Sequence, residues 1–291
     1  MTAAAPISVI VTCKGRLTHL RRTLPALRRA LPSAELVLVD YDCPERSGDW
    51  AEANVTGVKV VRAHDRPIFN IARARNLGAA AATAPWLLFS DADVLFTGPI
   101  ESTLAPLLQG RVYLLTDPRP PILFGTLVVA AADFQAVGGY DEVFEGWGAE
   151  DSEFLRRLDA AGVGRGAFDA AGVFGIEHGD DARAAFHAIA KDLNWTINTV
   201  YASAKEDLTR MGWDARLPER QALYAGVRAA LAGAEFDDRV VSHRVAFRRE
   251  AFGDLDVVTS LKYDVHMRDL AGAGVTPDDP GGPAQDDPGP S

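Results

Sequence analysis

Short apolar runs that fit buried strands alternate, over the first hundred residues, with segments of helical periodicity. The strand-like runs, rich in β-branched and aliphatic side chains, are residues 7–12, 35–40, 58–61 and 86–90. The helical segments are marked by Leu17, Leu20, Leu24, Leu27 and Leu31 on one face, and then by residues 71–82. Such alternation predicts an α/β fold with a mainly parallel sheet and right-handed crossovers, flanked by helices.

Beyond residue 100 this alternation weakens. Residues 112–116 and 126–131 still read as strands, and the segment after Asp151 reads as a helix. The pattern further predicts a short helix at 133–137 and a largely helical stretch at 184–232, leaves 236–270 unassigned, and ends in a Gly-, Pro- and Asp-rich segment. We therefore expect a Rossmann-like α/β domain at 1–185, a mainly helical C-terminal extension at 186–270 and a disordered tail at 271–291.

Composition restricts the possible partners. Across 291 residues the formal net charge is −10, which argues against nucleic acid as the main partner. The apolar content of 47% is that of an ordinary globular protein, and no apolar run approaches the ~20 residues of a membrane span. With two cysteines and no basic leader before residue 7, a cytoplasmic location is the expectation.

Polar residues cluster where the predicted strands end. They are Thr12 and Arg16, Asp40 and Asp42, and Asp91 and Asp93. In a parallel sheet these positions share one edge, beyond which ligands bind. Asp91 and Asp93 are two residues apart at a strand end, so their carboxylates can converge on one cation. A strand-terminating turn with a local aspartate cap is the alternative interpretation.

The ordered set of motifs along residues 7–185 resembles a GT-A glycosyltransferase. The similarity is to the family 2 type and to galactosyltransferase-like enzymes with a Trp-Gly-x-Glu-Asp motif. The motifs are Thr12, Asp40, Ala74-Arg75-Asn76-Leu77-Gly78, Asp91-Ala92-Asp93, Gly146-Trp147-Gly148-Ala149-Glu150-Asp151 and His178. The resemblance implies a GT-A fold and transfer of a sugar from a nucleotide sugar.

The resemblance also implies roles at the nucleotide end of the site. Asp93 would be the direct ligand of a divalent cation, Asp91 would contact metal or ribose, and His178 would be a distant third ligand. Carboxylate and imidazole ligands together favour Mn²⁺ over Mg²⁺. The residues expected to line the nucleotide pocket are Thr12, Arg16, Asp40, Asp42 and Arg75. Asp40-Tyr41-Asp42-Cys43 departs from the family pattern, so either Asp40 or Asp42 could contact the base.

The resemblance places the acceptor chemistry in the second motif. Asp151 would be the catalytic base of an inverting displacement, and Glu150 would hold a sugar hydroxyl. Acidic residues that stabilise a helix N-terminus are the alternative for this pair. Trp147, set between two glycines, would be a stacking platform for a sugar ring, and Gly148 would give the loop its backbone freedom.

Taken together, the sequence predicts a metal-dependent, inverting glycosyltransferase that uses a nucleotide diphosphate sugar, most simply a UDP-sugar. The acceptor hydroxyl could belong to a glycan, a small molecule or a peptide. Its choice is expected to depend on residues 117–125 and the C-terminal extension, which could also form a homodimer. The rival hypotheses are a sugar-nucleotide nucleotidyltransferase, and a non-catalytic sugar- or nucleotide-binding protein on the same scaffold.

Overall fold

The central feature of the chain is a sheet of buried strands. The structure is a computed structural model that describes residues 6–64, 68–176, 191–213, 216–232, 240–252 and 255–266. Its strands are β1 (Ile7–Cys13), β2 (Glu35–Asp40), β3 (Val58–Arg62), β4 (Trp86–Asp91), β5 (Val94–Phe96), β6 (Val112–Asp117), β7 (Leu127–Ala130), β8 (Gly164–Asp169), β9 (Val173–Gly175), β10 (Val240–Phe252) and β11 (Leu255–His266). Its α-helices are α1 (Leu17–Ala30), α2 (Ser47–Asn54), α3 (Ile71–Ala81), α4 (Ile100–Leu104), α5 (Ala131–Ala136), α6 (Glu150–Ala160), α7 (Lys191–Arg210) and α8 (Leu217–Leu231).

Within the described residues, seven strands form the main sheet in the order β3-β2-β1-β4-β7-β6-β8. The pairs β3/β2, β2/β1, β1/β4 and β6/β8 are parallel, whereas β7 runs antiparallel to both of its neighbours. Six strands therefore point their carboxyl ends to the same edge. This confirms the predicted α/β fold with a mainly parallel sheet.

Both faces of the sheet are covered at β1, β2 and β4, which is why these strands are almost continuously apolar. Alternate residues of β1 point to opposite faces: Val9 and Val11 pack with α1, and Ile10 packs with α3. The second face also receives Phe134 of α5 and Phe154 of α6. A buried apolar layer on the second face, in part aromatic, thus positions α3 and α6 against the strands.

The C-terminal region contains the two long helices α7 and α8, which pack on each other around a separate apolar cluster. The sequence left residues 236–270 unassigned; in the structure β10 and β11 pair there as an antiparallel hairpin. Tyr263 of this hairpin donates a hydrogen bond to Asp207 of α7 (2.9 Å). In the part of the chain that is described, no helix is long and apolar enough to cross a membrane.

Candidate active site

Helix α3 carries the arginine around which the candidate site is built. Asn70 begins the helix, and its side chain accepts a hydrogen bond from the backbone N–H of Arg73 (2.8 Å). Gly78 lets the helix lie close to β1, because a Cβ at that position would be 2.3 Å from Cγ2 of Ile10. One turn before Gly78, Arg75 is consequently only 3% exposed.

The guanidinium of Arg75 contacts three carboxylates from two distant segments. Its Nη1 lies 2.7 Å from Oδ1 of Asp151 and 3.5 Å from Oε1 of Glu150, both in the first turn of α6. Its Nη2 lies 3.4 Å from Oδ1 of Asp91, at the end of β4. The structure therefore brings the Asp-x-Asp segment and the Glu-Asp pair to one point at the carboxyl edge of the sheet.

Tyr140 completes the packing around Arg75. The guanidinium lies 4.9 Å from the centre of its ring, and its hydroxyl donates to Oδ1 of Asp151 (3.1 Å). The ring stacks on Phe154 of α6 with centroids 4.3 Å apart. Burial raises the pKa of Tyr140 well above its ordinary value, so the hydroxyl stays protonated and remains a donor. Asp151 is thus oriented by two donors on the same oxygen.

The cluster holds more negative than positive groups. Burial works against ionisation of Arg75, but the surrounding acidic groups, Asp151 first, hold its pKa well above the usual value. Burial raises the pKa of Asp91; Arg75 opposes this increase, and Asp93 and Asp151 add to it. Burial, with Asp151 adding to its effect, raises the pKa of Glu150 to about 8. The positive charge of Arg75 alone therefore does not balance the three carboxyl groups that it contacts.

The loop between β6 and β7 lies against the cluster. A Cβ on Gly125 would be 2.4 Å from Nη2 of Arg75 and 2.8 Å from Oδ2 of Asp91. Earlier in the loop, Arg119 donates to the carbonyl of Phe124 (3.0 Å) and lies over its ring. The segment at 117–125 that the sequence assigns to acceptor choice therefore borders the carboxylates.

Asp93 follows Asp91 in the turn between β4 and β5, where its carbonyl accepts a hydrogen bond from the N–H of Ile176 (2.8 Å). The third ligand expected from the resemblance, His178, lies outside the described residues. Within the described ranges, no group of three or more His, Cys, Asp or Glu residues is arranged to hold a metal ion. The metal site at Asp91 and Asp93 therefore stays a prediction.

The two carboxylates after β2 have different surroundings. Asp40 is 5% exposed, and its oxygens accept the backbone N–H groups of Cys43 (2.8 Å) and Gly48 (2.7 Å). Asp40 therefore shapes the loop that leads into α2. Asp42 is exposed, has a φ of +47°, and lies 3.2 Å from Nδ1 of His64. Of the two, Asp42 is the one whose side chain reaches solvent.

Thr12 and Arg16 lie at the same edge of the sheet. Thr12 is buried near the end of β1 and is in register with Asp91 of β4. Arg16 is half-buried just before α1, and its carbonyl accepts the N–H of Leu20 (2.9 Å). The structure thus places Thr12 beside the carboxylate cluster and Arg16 on the following loop.

The Trp147 loop, which we define as residues 145–149, has an unusual backbone. Gly146, Gly148 and Ala149 have φ values of +69°, +100° and +68°. The two glycines adopt such values without steric cost, whereas Ala149 does not. The side chain of Trp147 is 38% exposed, as a stacking surface requires. The loop ends where α6 begins, so its shape also determines where Glu150 and Asp151 lie.

Sequence reasoning missed three side chains that build this region. Tyr140 lies within the motif-bearing segment, but its contacts depend on the depth of Arg75. Asn194 and Asn198 of α7 are buried and contact the Trp147 loop. Their spacing of four residues beside apolar anchors was the available signal, because it puts two amides on one helix face.

Family comparisons agree with this geometry. A model described as "Glycosyl transferase family 2" matches residues 8–124, and one described as "N-terminal domain of galactosyltransferase" matches residues 117–179. Residues 8–179 are glycosyltransferase-like in sequence. The first match spans β1 to the Gly125 loop, and the second includes the Trp147 loop and α6. The roles of the residues in the Trp-Gly-x-Glu-Asp motif stay a prediction.

Two curated relatives of this glycosyltransferase-like chain carry the name validoxylamine A glucosyltransferase. The protein of Streptomyces hygroscopicus subsp. jinggangensis (strain 5008) is 29% identical, over 54% of this chain and 52% of the relative. That of Streptomyces hygroscopicus subsp. limoneus is 28% identical, over 54% of this chain and 48% of the relative. The matched region therefore spans about half the length of each curated relative.

Solved structures confirm the GT-A type of fold. S. aureus TarS 1-349 in complex with UDP-GlcNAc superposes with a TM-score of 0.56 at 16% identity, covering 76% of this chain and 72% of that one. A mannosyltransferase of Pyrobaculum calidifontis, in complex with GDP-Man and Mn²⁺, superposes with a TM-score of 0.50 at 16% identity. The superposition covers 80% of this chain and 71% of that one. At such identities the likeness concerns the fold alone.

Proposed function

We propose that the chain is a metal-dependent, inverting glycosyltransferase that moves a sugar from a nucleotide diphosphate sugar to an acceptor hydroxyl. The observation that carries this proposal is the convergence of Asp91, Glu150 and Asp151 on Arg75 at the carboxyl edge of the sheet. Such a reaction needs a group that stabilises the diphosphate leaving group and a base for the acceptor, close together. The two matched families contribute one part each to this cluster.

We assign the role of the catalytic base to Asp151. Among the described residues, Arg75 and Tyr140 both donate to its Oδ1, so Oδ2 is the oxygen that can face an acceptor. Its side chain is 21% exposed, against 10% for Glu150. Arg75 and Tyr140 fix the direction of the carboxylate. Glu150, which burial holds largely protonated below about pH 8, is the better hydrogen-bond donor to a sugar oxygen.

The residues present fit a divalent cation. Asp91 and Asp93 are hard oxygen ligands two residues apart, in a cluster whose negative groups outnumber its one guanidinium. These two side chains would hold Mn²⁺ or Mg²⁺, with His178 as the proposed third ligand. Bound there, the cation would supply charge neutralisation for the departing diphosphate.

The chain's own residues would perform the transfer in one displacement. Oδ2 of Asp151 takes the proton of the acceptor hydroxyl while the acceptor oxygen bonds to the anomeric carbon. The bond from that carbon to the diphosphate oxygen breaks on the opposite face, which inverts the anomeric configuration. Trp147 presents its exposed indole to a sugar ring. The nucleoside is placed against Thr12 and the loop after β2.

The donor class remains part of the proposal. A UDP-sugar is the first choice, and UDP-glucose leads the test because the curated relatives are named glucosyltransferases. GDP-mannose is the matched alternative, since a structural neighbour was solved with that donor. The test measures nucleoside diphosphate release from a panel of UDP- and GDP-sugars with Mn²⁺, Mg²⁺ or chelator. We expect metal-dependent release with one donor class.

Two variants separate donor binding from transfer. Asp93→Ala should abolish metal-dependent donor binding by calorimetry, whereas Asp151→Asn should leave binding intact and remove transfer. Asp169→Asn, which changes an exposed carboxylate at the end of β8, is the matched control and should change neither. Pyrophosphate released from a nucleoside triphosphate would instead indicate a nucleotidyltransferase. Absence of both donor hydrolysis and metal-dependent nucleotide binding would refute the proposal.

A further inference from the structure

The Trp147 loop has a conformation that its own residues do not favour. Positive φ values occur at Gly146, Gly148 and Ala149, and a non-glycine residue in this region costs about 1–2 kcal/mol. A backbone of this kind persists only where neighbouring groups fix it. Here the neighbours come from α7, which begins more than forty residues later in the chain.

Asn198 of α7 is the first of these neighbours. It is 1% exposed, and its Nδ2 donates to the carbonyls of Glu145 (3.0 Å), Trp147 (3.2 Å) and Gly148 (2.9 Å). Its Oδ1 accepts the hydroxyl hydrogen of Tyr224 in α8 (2.9 Å). The Tyr224 bond fixes which end of the amide faces the loop, so that nitrogen meets the carbonyls.

Asn194, one turn earlier, holds the other side of the loop. Its Oδ1 accepts the backbone N–H of Trp147 (2.6 Å). A Cβ on Gly146 would lie 2.0 Å from that same oxygen, and a Cβ on Gly148 would lie 2.6 Å from the ring of Trp195. The two glycines therefore serve close contact with α7 as well as the backbone angles.

We propose that Asn194 and Asn198 are positioning residues that set where the Trp147 platform and the first turn of α6 stand in the active site. Neither amide reaches the carboxylate cluster; both act through the backbone of the loop. The C-terminal extension is thereby a structural part of the catalytic site. The effect on catalysis rests on the proposed glycosyltransferase function, whereas the effect on the loop does not.

Asn198→Asp is the sharpest test, because it keeps the shape of the side chain and replaces the donor by an oxygen facing three carbonyls. We expect exchange with solvent deuterium within 145–149, where Asn194 holds the N–H of Trp147 (2.6 Å), to become about tenfold faster, the equivalent of one lost buried hydrogen bond. We expect kcat/KM for transfer to fall by about tenfold or more. The dissociation constant of the bare nucleoside diphosphate should change by less than about twofold, because the nucleotide pocket proposed above lies at Thr12 and the loop after β2 and does not include the Trp147 loop.

Two further variants make the result specific. Tyr224→Phe removes only the bond that orients the Asn198 amide, so its effects should be smaller, of the order of threefold. Tyr201→Phe is the matched control: it deletes a buried hydroxyl of α7 that bonds to Asp141 (2.8 Å) and leaves the loop contacts intact. The free energy of unfolding of Tyr201→Phe should fall as much as that of Tyr224→Phe, while amide hydrogen exchange at 145–149 should stay at the wild-type rate.

The possible outcomes are distinct. Unchanged exchange at 145–149 in folded Asn198→Asp would overturn the positioning role, as would equal acceleration in Tyr201→Phe. If Asn198→Asp does not fold, Tyr224→Phe against Tyr201→Phe decides by the same criterion. If the unmodified protein shows neither donor hydrolysis nor metal-dependent nucleotide binding, the proposed function fails, while the exchange comparison still tests the contact of α7 with the loop.

Discussion

At the level of single residues, the guanidinium of Arg75 joins carboxylates that lie 16 and 76 residues away in the chain. The Asp-x-Asp and Glu-Asp pairs were recognisable from sequence because each is a local motif. The partner of Asp151 was not, since no local pattern shows how deeply α3 sits on the sheet. The resemblance implies that Arg75 approaches the nucleotide. The structure adds that Arg75 contacts Asp151, the candidate catalytic base.

Glu150 gives the protein a distinct pH dependence. Its pKa is about 8 in the folded state, against 4.5 for the ordinary group, so between these values the folded protein holds a proton that the unfolded chain has released. Stability from this group is therefore full below about pH 4.5 and is lost as pH rises toward 8, by at most about 1.4 kcal/mol per pH unit. We expect urea unfolding in chelator to show this decline.

Glu150→Gln should remove that part of the pH dependence, because the amide does not ionise. Glu101→Gln, in the short helix α4, is the control and should keep the wild-type slope. If the stability of Glu150→Gln changed between pH 5 and 8 with the same slope as that of the wild type and of Glu101→Gln, the raised pKa of Glu150 would be contradicted. The surrounding groups Arg75, Asp91 and Asp151 are unchanged in the comparison.

At the level of elements, the predictions were correct where the hydrophobic pattern alone defines an element, and they missed elements that depend on packing or pairing. Strands β1, β2 and β4 were placed to within one residue because buried strands in a parallel sheet are continuously apolar. Helix α2 was missed because its sequence, SGDWAEAN, has few apolar positions. Strand β8 was missed because most of its residues are exposed, and it is defined by parallel pairing with β6. Such pairing partners are not visible in a single sequence.

Gly78→Ala tests how α3 positions Arg75. The new methyl would lie 2.3 Å from Cγ2 of Ile10 and 3.1 Å from Cγ2 of Val39, so the helix must move outward. We expect a loss of about 1–3 kcal/mol in the free energy of unfolding, despite the better helix propensity of alanine. Weaker donor binding should accompany this loss, because the contacts of Arg75 change with the helix.

A double-mutant cycle with Ile10→Ala checks the cause. Ile10→Ala removes the methyl that obstructs residue 78, so the combined variant should be more stable than the sum of the single effects by about 1 kcal/mol. Strictly additive losses would show that the contact between these two positions is not the reason. Ala80→Ser, on the exposed side of α3, should cost well under 1 kcal/mol.

At the level of the whole molecule, buried charged groups join the helices α7 and α8 to α6 and to the segment before it. Lys205 of α7 donates to Asp141 (2.6 Å) and Glu153 (2.7 Å). Tyr201 and Arg220 also contact Asp141. Burial works against the ionisation of Asp141, but Lys205 holds its pKa below the usual range. No local pattern predicts this network, because its acidic and basic members lie on three separate segments of the chain, at 141–153, 201–205 and 220.

Lys205→Met should therefore lower the free energy of unfolding markedly. It removes the cation that two buried carboxylates share, whereas Asp141 keeps its contact with Arg220 and Glu153 keeps its contact with Arg157. The expected loss is about 2–3 kcal/mol in the free energy of unfolding. Arg210→Met on the same helix removes an exposed ion pair with Glu206 and should cost less than about 1 kcal/mol. Denaturant titration distinguishes the two, and equal losses would show that the buried cation contributes little to docking of α7.

The contact between Asn198 and the Trp147 loop also has a consequence for biosynthesis. The ribosome delivers the loop 51 residues before Asn198, and the hydroxyl that orients this amide follows 26 residues later still. A nascent chain that has already paired its central strands therefore still lacks the groups that shape the loop. A chain that ends before Tyr224 therefore contains Trp147 and the carboxylates but lacks the hydroxyl that orients Asn198 against the loop.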